Sequence, residues 1–408
     1  MAERSEQRRV AFVVDSLESG GAERQLVLLA DELKGTRWAP RVVRYRPDSF
    51  HPLPSGVEDL LLRRRAKVDP LMLAELARAI RRDRVDVVHS WKAFSGVYVG
   101  ALGLGPRRAP QILHLHTGAA FLRRFPAYAK AYLASALLAD HTVCVAHDAL
   151  EWLVVQGVPR ERVSFIPNFV ERRLADAPPT QAAVRDALLA RMGLDKGSEP
   201  PIVAIGRLES NKNVAGLVRA VGILRRQGMQ TPPVLLVGRV TETEEVARCQ
   251  SAAAALGVDL HIHGATHEIT ALLDAAGLVV QASHTEGMPM VVLEAMSRGA
   301  LVVASATGEV PGLLQDGVTG LLVPQRHNET PDDALADAIR RALTLTPLEQ
   351  AAMRAAARDD ARTRFHPDVV REQWIALYDQ LVGARRGPQL LREKPADALR
   401  LLARIRRA

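Results

Sequence analysis

Residues 282–299 read ASHTEGMPMVVLEAMSRG. Gly287 and Pro289 interrupt regular structure, and the apolar spacing that follows predicts a helix over Met290–Arg298. Glu286 then stands in the loop mouth, and Glu294, eight positions later, lies about one turn inside the helix. The N–H groups of Gly287, Met288 and Met290 are expected to face the same mouth, with Pro289 setting the first turn. Carboxylates accept sugar or ribose hydroxyls and a helix N-terminus attracts phosphate, so the segment suits a phosphorylated, polyhydroxylated ligand. Two acids at a helix start also suit plain solvation, and the pair alone does not decide between the two.

Short apolar runs flank this segment, Leu278–Gln281 before it and Leu301–Ala304 after it, which predicts a strand–loop–helix–strand unit. Upstream, Ile202–Ile205, Pro233–Val237 and Asp259–His263 read as further strands, alternating with helices over Val214–Arg226 and Thr243–Leu256. The first half repeats the rhythm. Strands are predicted at Val10–Val14, Arg41–Tyr45, Val85–His89, Gln111–His116 and Thr142–Ala146, with helices such as Ala22–Leu33 and Pro70–Arg82. Alternation of this kind implies parallel α/β layering, here two doubly wound units with a cleft between them. Pro178, Pro179, Gly197, Pro200 and Pro201 place the link between the units around residues 170–200.

Two strand-to-helix loops carry further chemistry. Ser19, Gly20, Gly21, Ala22 and Glu23 join the first strand to its helix; the paired glycines are expected to admit unusual φ and let backbone N–H groups approach an anion, although a tight turn would use them as well. Arg207 and Lys212, five positions apart after Ile202–Ile205, offer a forked and a point cation for a diphosphate. The dinucleotide pattern GxGxxG is missing, since Gly103 and Gly105 are followed by Arg108, and NAD binding is unsupported.

The 408 residues carry a formal net charge of +8, and 48% are hydrophobic, enough for two cores. No apolar run approaches the length of about 18 residues of a membrane span. The N-terminus lacks the apolar core of a signal peptide, and Cys144 and Cys249 are far apart in apolar surroundings; both predict a reducing, cytoplasmic setting. Residues 385–408 hold eight cations and two anions, so most of the excess charge sits in a basic tail, and nucleic-acid binding by the rest is not required. Arg400, Arg404 and Arg407 on one side of a helical projection and Leu399, Leu402 and Ile405 on another suggest contact with an anionic inner membrane face; the alternative is a solvated tail.

Among the histidines, His89 and His114 read as satisfied structural residues, while His116, at a strand tip before Thr117 and Gly118, reads as a site residue facing the same side as His114. No HExxH or Cys/His pattern supports a metal.

Taken in order, SGGAE at 19–23, VVHS at 87–90, HLHTG at 114–118, IPN at 166–168, IGRLESNKN at 205–213, EGMPMVVLE at 286–294 and DGVTGLLVP at 316–324 resemble the retaining glycosyltransferases of family 4. The resemblance implies the GT-B architecture: two Rossmann-like α/β domains facing across a cleft, with a C-terminal helix crossing back. Its boundaries would be an N-terminal acceptor domain at 1–170, a link at 171–200, a donor domain at 201–364, a returning helix at 365–384 and the tail at 385–408. In that helix Val369, Trp374, Leu377 and Leu381 are the expected buried positions.

The resemblance also implies site roles. Arg207 and Lys212 would hold the donor diphosphate, with Gly20 and Gly21 closing over it. Glu286 would contact the donor sugar near its anomeric centre, Glu294 the ribose, and His116 the sugar from the N-terminal domain. Gly287, Met288, Pro289 and Met290 would complete the donor pocket. The implied reaction moves a sugar from a nucleotide diphosphate sugar to a saccharide or lipid-linked acceptor with retained configuration, in surface polysaccharide synthesis. The metal-binding DxD pattern is absent from the sequence, so no metal or other cofactor is expected. A glycoside hydrolase would share the two carboxylates but has no use for the diphosphate cations. A non-catalytic nucleotide-sugar-binding scaffold is the remaining alternative.

Overall fold

In the computed structural model, residues 7–18, 20–66, 69–102, 109–194, 197 and 199–384 are described. They form two compact units. The first comprises the described residues through Asn168 together with those from Pro367 onward, and the second is Phe169–His366.

The first unit is built on seven strands: β1 (Arg8–Val14), β2 (Trp38–Arg44), β3 (Glu58–Leu61), β4 (Val87–Trp91), β5 (Gln111–Leu115), β6 (His141–Cys144) and β7 (Val163–Phe165). Their order is β3-β2-β1-β4-β5-β6-β7, and every pairing is parallel. The second unit has six: β8 (Ile202–Ile205), β9 (Val234–Val237), β10 (Leu260–His263), β11 (Leu278–Gln281), β12 (Val302–Ser305) and β13 (Leu321–Val323). They run β10-β9-β8-β11-β12-β13, again all parallel. Helices cover both faces of such sheets, so the central strands are buried; Val10–Val14 and Val234–Val237 are apolar and buried at every position. The expected pair of Rossmann-like α/β units is therefore present.

Strand order reverses between β1 and β4 in one sheet and between β8 and β11 in the other. The loops leaving these four strands diverge at that point and leave a crevice at their C-terminal ends, where α/β proteins bind ligands. Loop 206–213 and loop 282–289 leave β8 and β11; residues 15–18 and Lys92 follow β1 and β4.

The stretch expected as a link, 171–200, is instead part of the second unit. It folds into helices Arg172–Ala175 and Ala182–Arg191, which bury Leu174 and Leu188. Buried Arg298 pairs with Asp274 at 2.7 Å and donates to the carbonyls of Leu174, Ala177 and Pro178, while the Thr180 N–H donates to Asp274. The prolines interrupt helix there, but Arg298 takes up the carbonyls they leave unpaired.

The last helix, Pro367–Ala384, belongs to the first unit, while Phe365 stays with the second and accepts the Val170 N–H. It buries Val370, Trp374, Ile375, Leu377 and Tyr378. Val369 is exposed, contrary to expectation, and Leu381 is half-buried. Positions 370, 374 and 377 share a helical face at spacings of four and three, and 369 lies off it. Asp379 on this helix accepts from Arg8, Arg37 and the Trp38 indole. Among the described residues no helix is long and apolar enough to cross a membrane. The basic tail lies outside the described residues.

Candidate functional site

The crevice of the second sheet brings together residues 74 positions apart. Lys212, at the end of the short 3-10 turn Ser210–Lys212, donates to Glu286 Oε1 at 2.6 Å. Ser283 Oγ donates to the same oxygen at 2.7 Å and Gln281 Nε2 at 3.4 Å. Gln281 is fixed in turn, its Oε1 accepting the Ser305 N–H from β12. Among the described residues, the hydrogen bonds to this carboxylate converge on Oε1. Burial pushes the Glu286 carboxyl up, but the Lys212 charge and these hydrogen bonds outweigh it and hold the group below the usual glutamate range.

Asn211 laces the two loops together. Its carbonyl accepts the His284 N–H, its Nδ2 donates to the Thr285 carbonyl, and its Oδ1 accepts the Thr285 hydroxyl. Asn213, buried with φ +51, starts helix Val214–Arg226 and donates to the Thr330 carbonyl. From the other side Gly308 (φ +55) sits against the Glu286–Gly287 backbone; a Cβ there would fall 2.4 Å from both carbonyl oxygens, so only glycine fits. Helix Met290–Arg298 follows Pro289 with no side-chain cap, and Glu294 is buried in its second turn. Arg207 is half-exposed and pairs with Glu209 at 3.0 Å.

The crevice of the first sheet is also charged. Glu23, buried in the first turn of helix Gly21–Leu33, forms an ion pair with Lys92, which follows β4 with φ +71, a left-handed conformation uncommon for a side chain of this kind. Asp15 at the tip of β1 is pushed up by burial against the pull of Arg64 and Lys92, and its buried Oδ1 has no partner among the described residues. His116 stacks on Trp91 at 4.8 Å and lies tilted against His114 at 3.8 Å between ring centroids. Burial, with the Lys92 charge, lowers its pKa to about 3, so its imidazole is neutral near pH 7.

Residues 19–174 match Glycosyltransferase Family 4, and residues 191–360 match Glycosyl transferases group 1. The chain carries these two glycosyltransferase domains. The alpha-maltose-1-phosphate synthase of Mycolicibacterium smegmatis is 31% identical over 208 residues, 49% of this chain and 52% of that protein. A D-inositol 3-phosphate glycosyltransferase of Nocardia farcinica is 29% identical over 270 residues, 64% of this chain and 58% of that protein. The chain thus spans little more than half the length of these two relatives. A Campylobacter jejuni alpha-1,4-N-acetyl-D-galactosaminyltransferase, named for an undecaprenol-diphosphate-linked acceptor, is 23% identical across 92% of this chain and 99% of its own. Among solved structures, Anabaena HepE in complex with UDP superposes with a TM-score of 0.76 at 19% identity, over 91% of this chain and all of that one. The GT-B kind of fold is common to both.

In the group 1 domain, Lys212, Glu286, Gly287, Met288, Pro289 and Met290 are gathered at one crevice, and Glu294 follows in the same helix. Arg207 stands on the same loop as Lys212 but faces Glu209. In the family 4 domain, Gly20 and Gly21 do not adopt the unusual φ expected of them: Gly20 is extended at −164°. A Cβ at Gly20 would fall 2.3 Å from Glu23 Oε2, so a larger residue there would have to displace the end of that side chain. Nor is His114 satisfied: among the described residues neither of its buried ring nitrogens has a partner, and His89 is satisfied at Nδ1 alone, which meets the Tyr378 hydroxyl at 2.9 Å, while its Nε2 has no partner there. Burial keeps both well below the usual histidine range.

Sequence reasoning missed Gln281, Ser283 and Asn211 in the group 1 domain and Asp15, Glu23 and Lys92 in the family 4 domain. Gln281 had a signal, a polar residue closing the apolar strand LVVQ at a sheet's C-terminal end.

Proposed function

We propose that the protein transfers a glycosyl unit from a nucleotide diphosphate sugar to an acceptor hydroxyl with retention of configuration. The observation that carries this reading is the Lys212–Glu286 pair at the β8/β11 crevice, with a helix N-terminus beside it. Breaking the anomeric bond builds negative charge on the departing diphosphate and positive charge on the sugar. Lys212, Arg207 and the N–H groups at Met288 and Met290 stabilise the first. Glu286, kept ionised, accepts sugar hydroxyls through Oε2 and offsets the second. Glu294 takes the ribose. With a lysine as counter-charge, the reaction proceeds without a metal.

In the family 4 domain, Gly20, Gly21 and His116 serve the same reaction, the neutral imidazole of His116 as a hydrogen-bonding group. The relatives named above differ in the sugars and acceptors of their names, so the fold and site are compatible with several donors. The undecaprenol-linked acceptor in the Campylobacter name favours a saccharide or lipid-linked acceptor and a role in surface polysaccharide synthesis at the inner membrane face.

The test is incubation of the pure protein with a panel of UDP-, GDP- and ADP-sugars, following nucleoside diphosphate release and the anomeric configuration of the product by NMR. Release with at least one donor and a product of unchanged configuration is expected. Tight donor binding without turnover in the presence of acceptor would favour the scaffold instead, and inversion would refute retention.

A further inference from the structure

The sequence holds no carboxylate between Asp86 and Asp140, while the same stretch carries six cations: Lys92, Arg107, Arg108, Arg123, Arg124 and Lys130. Arg107 and Arg108 lie outside the described residues. Of the rest, Lys92 is committed to Glu23, and Arg123, Arg124 and Lys130 are exposed.

These exposed cations border an aromatic patch. Phe94 on helix Ala93–Leu102, Phe125 between two helices, and Tyr128 on helix Pro126–Leu138 are 45%, 40% and 42% exposed. They touch one another through half-buried Phe121: Phe94 lies 5.6 Å from Tyr128, and Phe121 lies 4.7 Å from Phe125 and 5.5 Å from Tyr128 between ring centroids. Arg124 stands over the Phe125 ring at 5.7 Å. Val97, one turn along from Phe94, is exposed as well. Scattered surface apolar residues need no explanation, but contiguous aromatic rings left in water mark an interaction surface.

We propose that this patch seats the first unit on an anionic lipid bilayer. Aromatic rings favour the headgroup level, and the exposed arginines and lysine of the same stretch meet lipid phosphates; the carboxylate facing them among the described residues, Asp148 opposite Arg123, also accepts the Ala119 N–H. The excess of cations over acids in this stretch argues against a second copy of this chain, whose own patch would carry the same sign of charge. The proposal stands apart from the donor chemistry above and does not rest on it.

The test is co-sedimentation of the full chain with vesicles of phosphatidylcholine containing about 30% phosphatidylglycerol, and with phosphatidylcholine alone. Binding to the anionic vesicles, weakened by salt, is expected. The double variant Phe125→Ser/Tyr128→Ser should lower that binding about tenfold or more although residues 385–408 remain in place. Arg123→Glu/Arg124→Glu, which leaves the rings in place, should do the same through charge alone. Circular dichroism checks that each variant is folded, and the charge variant carries the test if the aromatic one is not. Vesicle binding that is absent, or unchanged in a folded variant, overturns the proposal. So does a native dimer, seen by light scattering, that the aromatic variant dissociates, for then the patch is covered by a second copy.

Discussion

The two sheets reverse strand order in the same way, and each places a lysine–glutamate pair at the reversal, yet the two pairs are held differently. In the second unit Glu286 receives three donors on one oxygen, from the loop itself, from β11 and from the neighbouring loop after β8. In the first unit Glu23 is buried against a lysine in a left-handed conformation, and among the described residues no comparable web of neutral donors surrounds it. The first arrangement presents a carboxylate, while the second neutralises one. Parallel topology therefore does not imply parallel use, and substitutions at four positions can separate the roles.

Glu286→Gln should have the largest effect, lowering turnover about a thousandfold while leaving the fold intact, because it keeps the shape and removes the charge facing the sugar. Steady-state kinetics on the best donor of the panel measures it. A loss under tenfold would place the chemistry elsewhere.

Lys92→Ala should act on stability. It leaves Glu23 buried without its cation, at a cost of about 3 kcal/mol. Lys92→Gly should cost less, since glycine accepts φ +71 without strain. All four tryptophans, Trp38, Trp91, Trp152 and Trp374, belong to the first unit, so urea unfolding followed by tryptophan fluorescence reads this unit specifically. Equal losses in the two variants would remove the argument from backbone conformation.

Gly308→Ala should destabilise the second unit by about 2 kcal/mol, through positive φ and the approach to the Glu286–Gly287 carbonyls. The tryptophan transition should stay where it is while the transition seen by circular dichroism moves to lower urea. A coincident shift of both signals would contradict the division into units.

Ser283→Ala is the mildest. Removing one donor from Oε1 should lower kcat about tenfold with little change in KM, and move the acid limb of the pH profile. Glu286 is held below its usual range, so the wild type keeps its ionised form, and its activity, as pH falls; the variant should lose activity at a higher pH. Ser283→Thr should restore both. An unchanged pH profile would reduce Ser283 to packing.

The comparison also explains what the sequence could and could not tell. The second crevice was legible because its groups lie in short segments with strong local signals: Gly287 and Pro289 break the chain beside Glu286, and Lys212 sits where a strand meets a helix. Their mutual contact was not, since Glu286 and Lys212 were assigned to different parts of the ligand and the structure joins them directly. In the first unit, Lys92 lies in SWKAFSG with nothing local to mark it, and its weight comes from Glu23, 69 positions away. Strand alternation revealed both sheets, whereas the stretch at 171–200 was misread because proline content resembles a linker until Arg298, more than a hundred residues on, is seen holding it. Val369 was misassigned for a smaller reason: one residue of helical phase exchanges a buried position for an exposed one.

The most direct test of the central claim is the affinity of UDP, GDP and ADP, by calorimetry, for the wild type, Lys212→Met and Glu286→Gln. If the β8/β11 crevice is the donor site, one of the three diphosphates binds, Lys212→Met weakens it at least about tenfold through loss of the counter-charge, and Glu286→Gln leaves it bound. Unchanged affinity in Lys212→Met, or no binding of any of the three to the wild type, would contradict it.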